Sequence, residues 1–212
     1  MVERKFGRFY VEDNRDKKFR IQKVAPIRTS RTYSSRWFGD QKNTSECVGY
    51  SLSHLLECSP YKQWLNPSGI YDFAQLIDEW DGEYDGTSVR AGLKVLQKLG
   101  FIKEYRWGKT LNDAVNSVLE VGPIIIGVNW YVDMMETDGK GFIHVGGENL
   151  GGHAILVDGV YVKTEKFRLK NSWSDEWGKE GRCYLSFKDF SRLMKEEGEI
   201  GLVIEQTAKP TY

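Results

Sequence analysis

The chain has 212 residues, 40% of them hydrophobic and 28% charged, with seven Trp and eleven Tyr, which suits one large domain or two lobes sharing a core. That composition excludes fibrous and disordered classes, and no run approaches the ~18 apolar residues that a membrane span needs. Net charge is zero but uneven: residues 1–36 hold eleven Lys/Arg against four Asp/Glu, a +7 arm ahead of a −7 body. Phe9, Tyr10, Phe19 and Ile21 interleave with the arm's charges, so the arm is expected to lie on its own acidic body and to limit access to any cleft there. Nucleic-acid and membrane partners are not expected. No apolar run of signal-peptide length follows Met1, and three scattered cysteines form neither a disulfide framework nor a zinc pattern, so a cytoplasmic protein is expected.

Within the arm, one short strand is predicted over Phe19–Val24, stopped by Pro26. The stretch Gly39–Leu52 follows. Thr44 and Ser45 are good N-caps, and Leu52, Leu55 and Leu56 start an apolar face, so a helix is predicted with Cys47 in its first turn. Unpaired N–H groups and the helix dipole favour negative charge there, which activates a thiol as its thiolate. Gln41, six positions earlier, carries an amide suited to hold an oxyanion. A buried, inert Cys47 is the plain alternative. Helical spacing recurs over Ser68–Trp80, a turn-rich loop spans 81–86, Thr87 or Ser88 caps a third helix ended by Gly100, and a fourth helix runs from Thr110 to Val121.

After Gly122-Pro123 the pattern changes. Strands are predicted over 124–131, 153–162, 166–170, 182–187 and 201–205, with one short helix over Lys188–Lys195. Helices first and strands second give an α+β fold: an arm over 1–36, a helical lobe over about 37–121 and an antiparallel, barrel-like β lobe over about 122–212, with a cleft between the lobes.

Three histidines are available as a base. His54 lies seven residues beyond Cys47 on the same helix, ~10 Å along the axis, and is out of reach. His144 falls in a glycine-rich loop. His153 follows Gly151-Gly152 and opens an apolar strand, where it is either a satisfied core residue or the partner of the thiol. Asn171 stands at the end of another strand, placed to orient an imidazole, with Trp173 two residues on to shield that hydrogen bond.

The order Gln41, Cys47, Gly86, His153-Ala154, Asn171-Ser172-Trp173, Trp177-Gly178 and Gly181 resembles the papain-like cysteine peptidases, over nearly all the chain after the arm. The resemblance implies a papain-like fold, peptide or protein substrates and no metal or organic cofactor. It places nucleophile, base, orienting residue and oxyanion donor on Cys47, His153, Asn171 and Gln41. It also implies substrate contacts at Asp85, Gly86, Trp130, Gly152 and Trp177, with Trp173 supporting the triad. The chain departs at Thr44, Val48 and Ser174, where the family has a half-cystine, an aromatic residue and a glycine. The missing half-cystine suits a reducing compartment. The arm is also shorter than most of the family's inhibitory pro-segments, so no such segment is expected to hold the enzyme off. The expected function is a cysteine-type peptidase acting through a thioester on Cys47. The alternatives are a related thiol hydrolase of peptidoglycan cross-links, isopeptides or glutamine amides, or an inactive binding module of the same fold.

Overall fold

A computed structural model describes residues 4–22, 26–80 and 84–206. Its centre is α1 (Cys47–Glu57), which has Leu52, Leu55 and Leu56 fully buried and is enclosed on almost every side. Glu46 is its N-cap and makes no side-chain cap bond; the predicted cap Thr44 instead donates its hydroxyl to the Gln41 carbonyl at 2.7 Å. Packing therefore holds this helix start. Each buried leucine contributes about 2 kcal/mol, against about 1 kcal/mol for a cap. Against α1 pack α2 (Pro67–Gln75), capped by Asn66, and α3 (Val89–Lys98), capped by Ser88. Contacts are close because Gly49 and Gly92 lack side chains: a Cβ on Gly49 would sit 2.2 Å from the Pro67 carbonyl oxygen. Gly100, at φ +74°, ends α3 in the left-handed conformation.

The remaining elements are β1 (Arg8–Phe9), β2 (Ser30–Thr32), β3 (Thr87–Ser88), β4 (Ile102–Gly108), α4 (Leu111–Asn116), β5 (Ile124–Tyr131), β6 (Asn149–Tyr161), β7 (Lys166–Lys170), β8 (Arg182–Ser186), α5 (Phe187–Lys195) and β9 (Glu199–Gln206). An antiparallel sheet runs β4-β9-β5-β6-β7-β8, with β2 paired to β6. The expected fourth helix is two segments, α4 and a wider π turn over Ser117–Val121. Strand β4, within the residues expected to form the helical lobe, joins the sheet by pairing with β9. Lys103, Glu104 and Arg106 break the apolar pattern of this edge strand, so its periodicity does not mark it. In the arm, residues 14–18 form a 3-10 turn, Phe19 and Ile21 exchange backbone hydrogen bonds with Trp107, and the last part of the predicted strand lies outside the described residues. Part of the loop expected over 81–86 lies outside them too.

A buried charge cluster pins the sheet to the segment before α1. Asp158 is fully buried and accepts from Arg168 at 2.7 Å and from Arg182 at 3.0 Å, while Lys170 donates to Ser35 at 2.8 Å and to the Trp37 carbonyl. Burial pulls the Lys170 ammonium down to about 8. Removing one member of such a cluster strands the others in a low dielectric. Asp158→Ala should cost about 3 kcal/mol by chemical denaturation; a loss under ~1 kcal/mol would mean the arginines find water instead.

Candidate active site

Packing brings together the first turn of α1 and one face of β6. Cys47 is the first residue of α1 and is fully buried, with the backbone N–H groups of Ala154, Gly7 and Val48 directed at its sulfur. His153, the residue before Ala154 on β6, is fully buried as well. Its Nε2 hydrogen-bonds Asn171 Oδ1 at 2.8 Å, and the same oxygen accepts from the Ser172 N–H at 2.9 Å. An oxygen that accepts twice requires the imidazole to donate, so the proton sits on Nε2. Nδ1, which has no other partner, is left as the proton acceptor. Trp173 lies 5.3 Å from the imidazole centroid and Trp130 4.7 Å from it, and both are buried. Trp130, expected to border substrate, packs edge-on against His153.

Gln41 is buried on the loop before α1. The Ser172 hydroxyl donates to its Oε1 at 2.5 Å, which turns the NH2 group the other way, towards the Thr44 carbonyl at 2.7 Å and the Lys5 carbonyl at 3.3 Å. Trp177 is half-buried, its Nε1 donating to the Met135 carbonyl at 2.8 Å. Of the other histidines, His54 accepts the Gly39 N–H at 3.1 Å, and His144 lies on the surface 3.1 Å from Asp138.

Residues 4–9 of the arm run through this site. The Lys5 carbonyl faces Gln41, the Phe6 ring stands edge-on to His153 at 5.8 Å and to Trp173 at 6.2 Å, and the Gly7 N–H meets the Cys47 sulfur. The Gly7 carbonyl accepts from the Thr87 N–H at 2.7 Å, and β1 pairs in parallel with β3. Ion pairs fasten the strand: Arg4 to Asp40 at 2.6 Å, Lys5 to Asp85 at 3.2 Å and Arg8 to Glu199 at 2.9 Å. The glycines near the site make room for the arm. A Cβ on Gly86 would lie 2.5 Å from the Gly7 oxygen, one on Gly152 2.0 Å from the Arg8 oxygen, and one on Gly7 itself 1.9 Å from the Ser45 oxygen. The arm expected to lie on its own body thus runs over this site, where glycine backbones allow its close approach. Phe6, Gly7, Arg8 and Glu199 were missed as site residues. An interleaved basic and aromatic arm was visible, but its register on the body was not.

The electrostatics follow from this burial. Desolvation pushes the Cys47 thiol up, despite its three N–H donors. It pulls His153 down to about 4, aided by the nearby Arg4 charge and opposed by Asn171. With the arm in place the pair is neutral thiol and neutral imidazole.

The fold matches known structures. Xylellain, a cysteine protease from Xylella fastidiosa, superposes with a TM-score of 0.75 at 18% identity, over 96% of this chain and 98% of that one. The chain has the papain-like cysteine protease fold. In sequence, this papain-like chain is 32% identical over 79 residues to cathepsin B-like cysteine proteinase 5 of Caenorhabditis elegans, a match covering 36% of this chain and 23% of that one. It is 28% identical over 137 residues to cathepsin B-like cysteine proteinase 3 of Ostertagia ostertagi, covering 58% and 75%. The first of these matches therefore spans about a quarter of that relative's length. No protein-family description matches the chain. Among the described residues, no helix is long and apolar enough to cross a membrane, and all three cysteines are free thiols.

Proposed function

We propose that this chain is a cysteine-type peptidase whose nucleophile is Cys47, with His153 as base and acid, Asn171 as the residue that orients it, and Gln41 with the Cys47 backbone N–H as oxyanion donors. The observation that carries this reading is the His153–Asn171 hydrogen bond on the strand whose next residue, Ala154, directs its backbone N–H at the Cys47 helix start, since that bond leaves Nδ1 as the free proton acceptor of the imidazole. In the reaction, Nδ1 takes the thiol proton and the sulfur attacks the peptide carbonyl. The oxygen becomes an anion held by the Gln41 amide and the Cys47 N–H. Imidazolium then protonates the leaving amine, a thioester remains on Cys47, and water deprotonated by His153 releases the acid and restores the thiol.

The same reading makes the docked arm a self-inhibitor. The Lys5 carbonyl occupies the Gln41 donor, Phe6 covers the imidazole, and Gly7 offers the sulfur an N–H where a substrate must offer a carbonyl carbon. A reducing, cytoplasmic setting is part of the proposal, supported by three buried unpaired thiols.

The test is covalent. A cysteine-directed epoxide incubated with reduced, full-length chain at neutral pH should give a single adduct mapped to Cys47, slowly while the arm is docked. Cys47→Ala should abolish it. An adduct that persists in Cys47→Ala, or that maps to Cys58 or Cys183, would overturn the assignment.

A further inference from the structure

The segment that carries Gln41 lies against the helix that carries Cys47, and side chains two and three turns along α1 hold it there. Glu57 Oε1 accepts the N–H groups of Arg36 at 2.7 Å and Trp37 at 3.3 Å, and His54 Nε2 accepts that of Gly39 at 3.1 Å. His54 is fully buried, with the Trp37 ring 4.8 Å from its own. Gly39 permits the close approach: a Cβ there would lie 2.6 Å from the Tyr50 ring and 2.7 Å from the Trp37 ring. An Nε2 that accepts is unprotonated, so the proton sits on Nδ1, which has no partner. A buried N–H left unpaired is unfavourable, and packing alone would favour leucine or phenylalanine at this position. What the imidazole adds is a neutral acceptor. Burial, then the Lys170 ammonium on β7 and the Arg182 guanidinium on β8, hold His54 well below its ordinary range, and Glu57 Oε2 lies 3.6 Å from that ammonium. The segment's other side is tied to the loop after β7. The Gln41 N–H donates to the Ser172 carbonyl at 2.9 Å, and the Ser174 N–H donates to the Gly39 carbonyl at 3.1 Å.

We infer that His54 is a positioning residue for the oxyanion site: by holding Gly39 against α1, it fixes the Gln41 amide relative to the Cys47 N–H. The inference rests on the peptidase reading above, in which those two groups share the anion. One donor belongs to the first residue of α1 and the other stands on a separate segment, so their separation depends on what joins segment to helix. Gly39 is two residues before Gln41, and His54 is two turns, ~10 Å, beyond Cys47 on the same helix. The bond therefore sets the spacing of the donors without touching substrate. Spacing matters because each donor must stand about 2.7–3.1 Å from the place where the anion forms.

The test uses the full chain carrying Gly7→Val, in which the arm is unseated. Three readouts are compared: peptide turnover, affinity for a peptide aldehyde, and the rate of Cys47 alkylation by iodoacetamide. Turnover and aldehyde addition each place an oxyanion against Gln41, whereas alkylation displaces iodide and forms none. Loss of one oxyanion donor costs about 100- to 1,000-fold in kcat, so a displaced one should cost ~10-fold or more. His54→Phe keeps a ring beside Trp37 and removes the acceptor. It should lower kcat and weaken aldehyde binding by at least ~10-fold, with KM and the alkylation rate within about threefold of the parent. His54→Gln, which keeps an acceptor near the Nε2 position, should recover most of the loss. In a Gln41→Ala background, His54→Phe should add less than about twofold, because the group it positions is gone. If His54→Phe does not fold, His54→Leu takes its place in the same comparisons. An equal fall in turnover and alkylation, or a full additional loss in the Gln41→Ala background, would overturn the inference. Aldehyde addition needs no hydrolysis. The expected aldehyde losses in a chain that cleaves no peptide would support His54 and sink the peptidase reading instead.

Discussion

His153→Ala should lower kcat/KM for peptide cleavage by roughly 10⁴-fold or more, measured in the arm-displaced Gly7→Val chain so that docking does not mask the effect. The magnitude follows from the loss of two proton transfers at once. Without Nδ1 the thiol keeps its proton, which burial already favours, and the leaving amine departs without an acid. Asn171→Ala should cost less, because the imidazole remains and loses only its hydrogen-bonded orientation at Nε2. The pair of variants separates chemistry from packing. If the loss in His153→Ala came only from the void left beside Trp130 and Trp173, His153→Gln, which fills much of that space, would recover activity. Activity within tenfold of the parent in His153→Ala would sink the assigned base.

Gly7→Val should raise the rate of epoxide labelling at Cys47 by about 100-fold over the unaltered chain, which corresponds to roughly 2.7 kcal/mol of lost docking. The cause is steric and local. Any Cβ at position 7 would meet the Ser45 carbonyl oxygen at 1.9 Å, and that oxygen is backbone at the start of α1 and cannot yield. The unaltered chain should respond to acid in the same direction. Docking desolvates His153 and holds it at about 4, below its ordinary 6.5, so the docked state binds fewer protons than the open one. Docking is thus fully supported above pH 6.5 and weakens as pH falls from 6.5 towards 4. The accessible fraction of Cys47 should rise over that window, read by brief labelling pulses corrected for the reagent's own pH dependence. Arm release that is unchanged across pH 4 to 6.5, or a labelling rate in Gly7→Val equal to that of the unaltered chain, would show that the arm does not gate the thiol.

How much of this could be read from residues alone differs from element to element. The helix at Cys47, the caps at Ser88 and Thr110 and the strands from Ile124 to Ile204 are set by neighbours within a few positions, through apolar periodicity, short polar caps and glycine stops. Chemistry-bearing residue types were equally plain: with three cysteines and three histidines, the choices were few and the Asn171-Ser172-Trp173 run narrowed them. By contrast, the cap at Glu46 and the strand at Ile102–Gly108 escaped, because burial of α1 and pairing with β9 override the local preferences there.

What tertiary structure alone decided is the state of the site. Periodicity has no means of showing that Trp130 faces inwards beside His153, that Gly127 stands next to Glu199 across two strands, or that Arg8 reaches a carboxylate 191 positions away. Those relations depend on strand register and on which side chains share a dry space. Register comes from long-range pairing rather than from nearby residues. The same is true of the charge states. Cys47 and His153 keep their identities in any context, but whether they stand as a neutral or an ionised pair depends on six residues of arm laid over them, which exclude the water that would stabilise the charges.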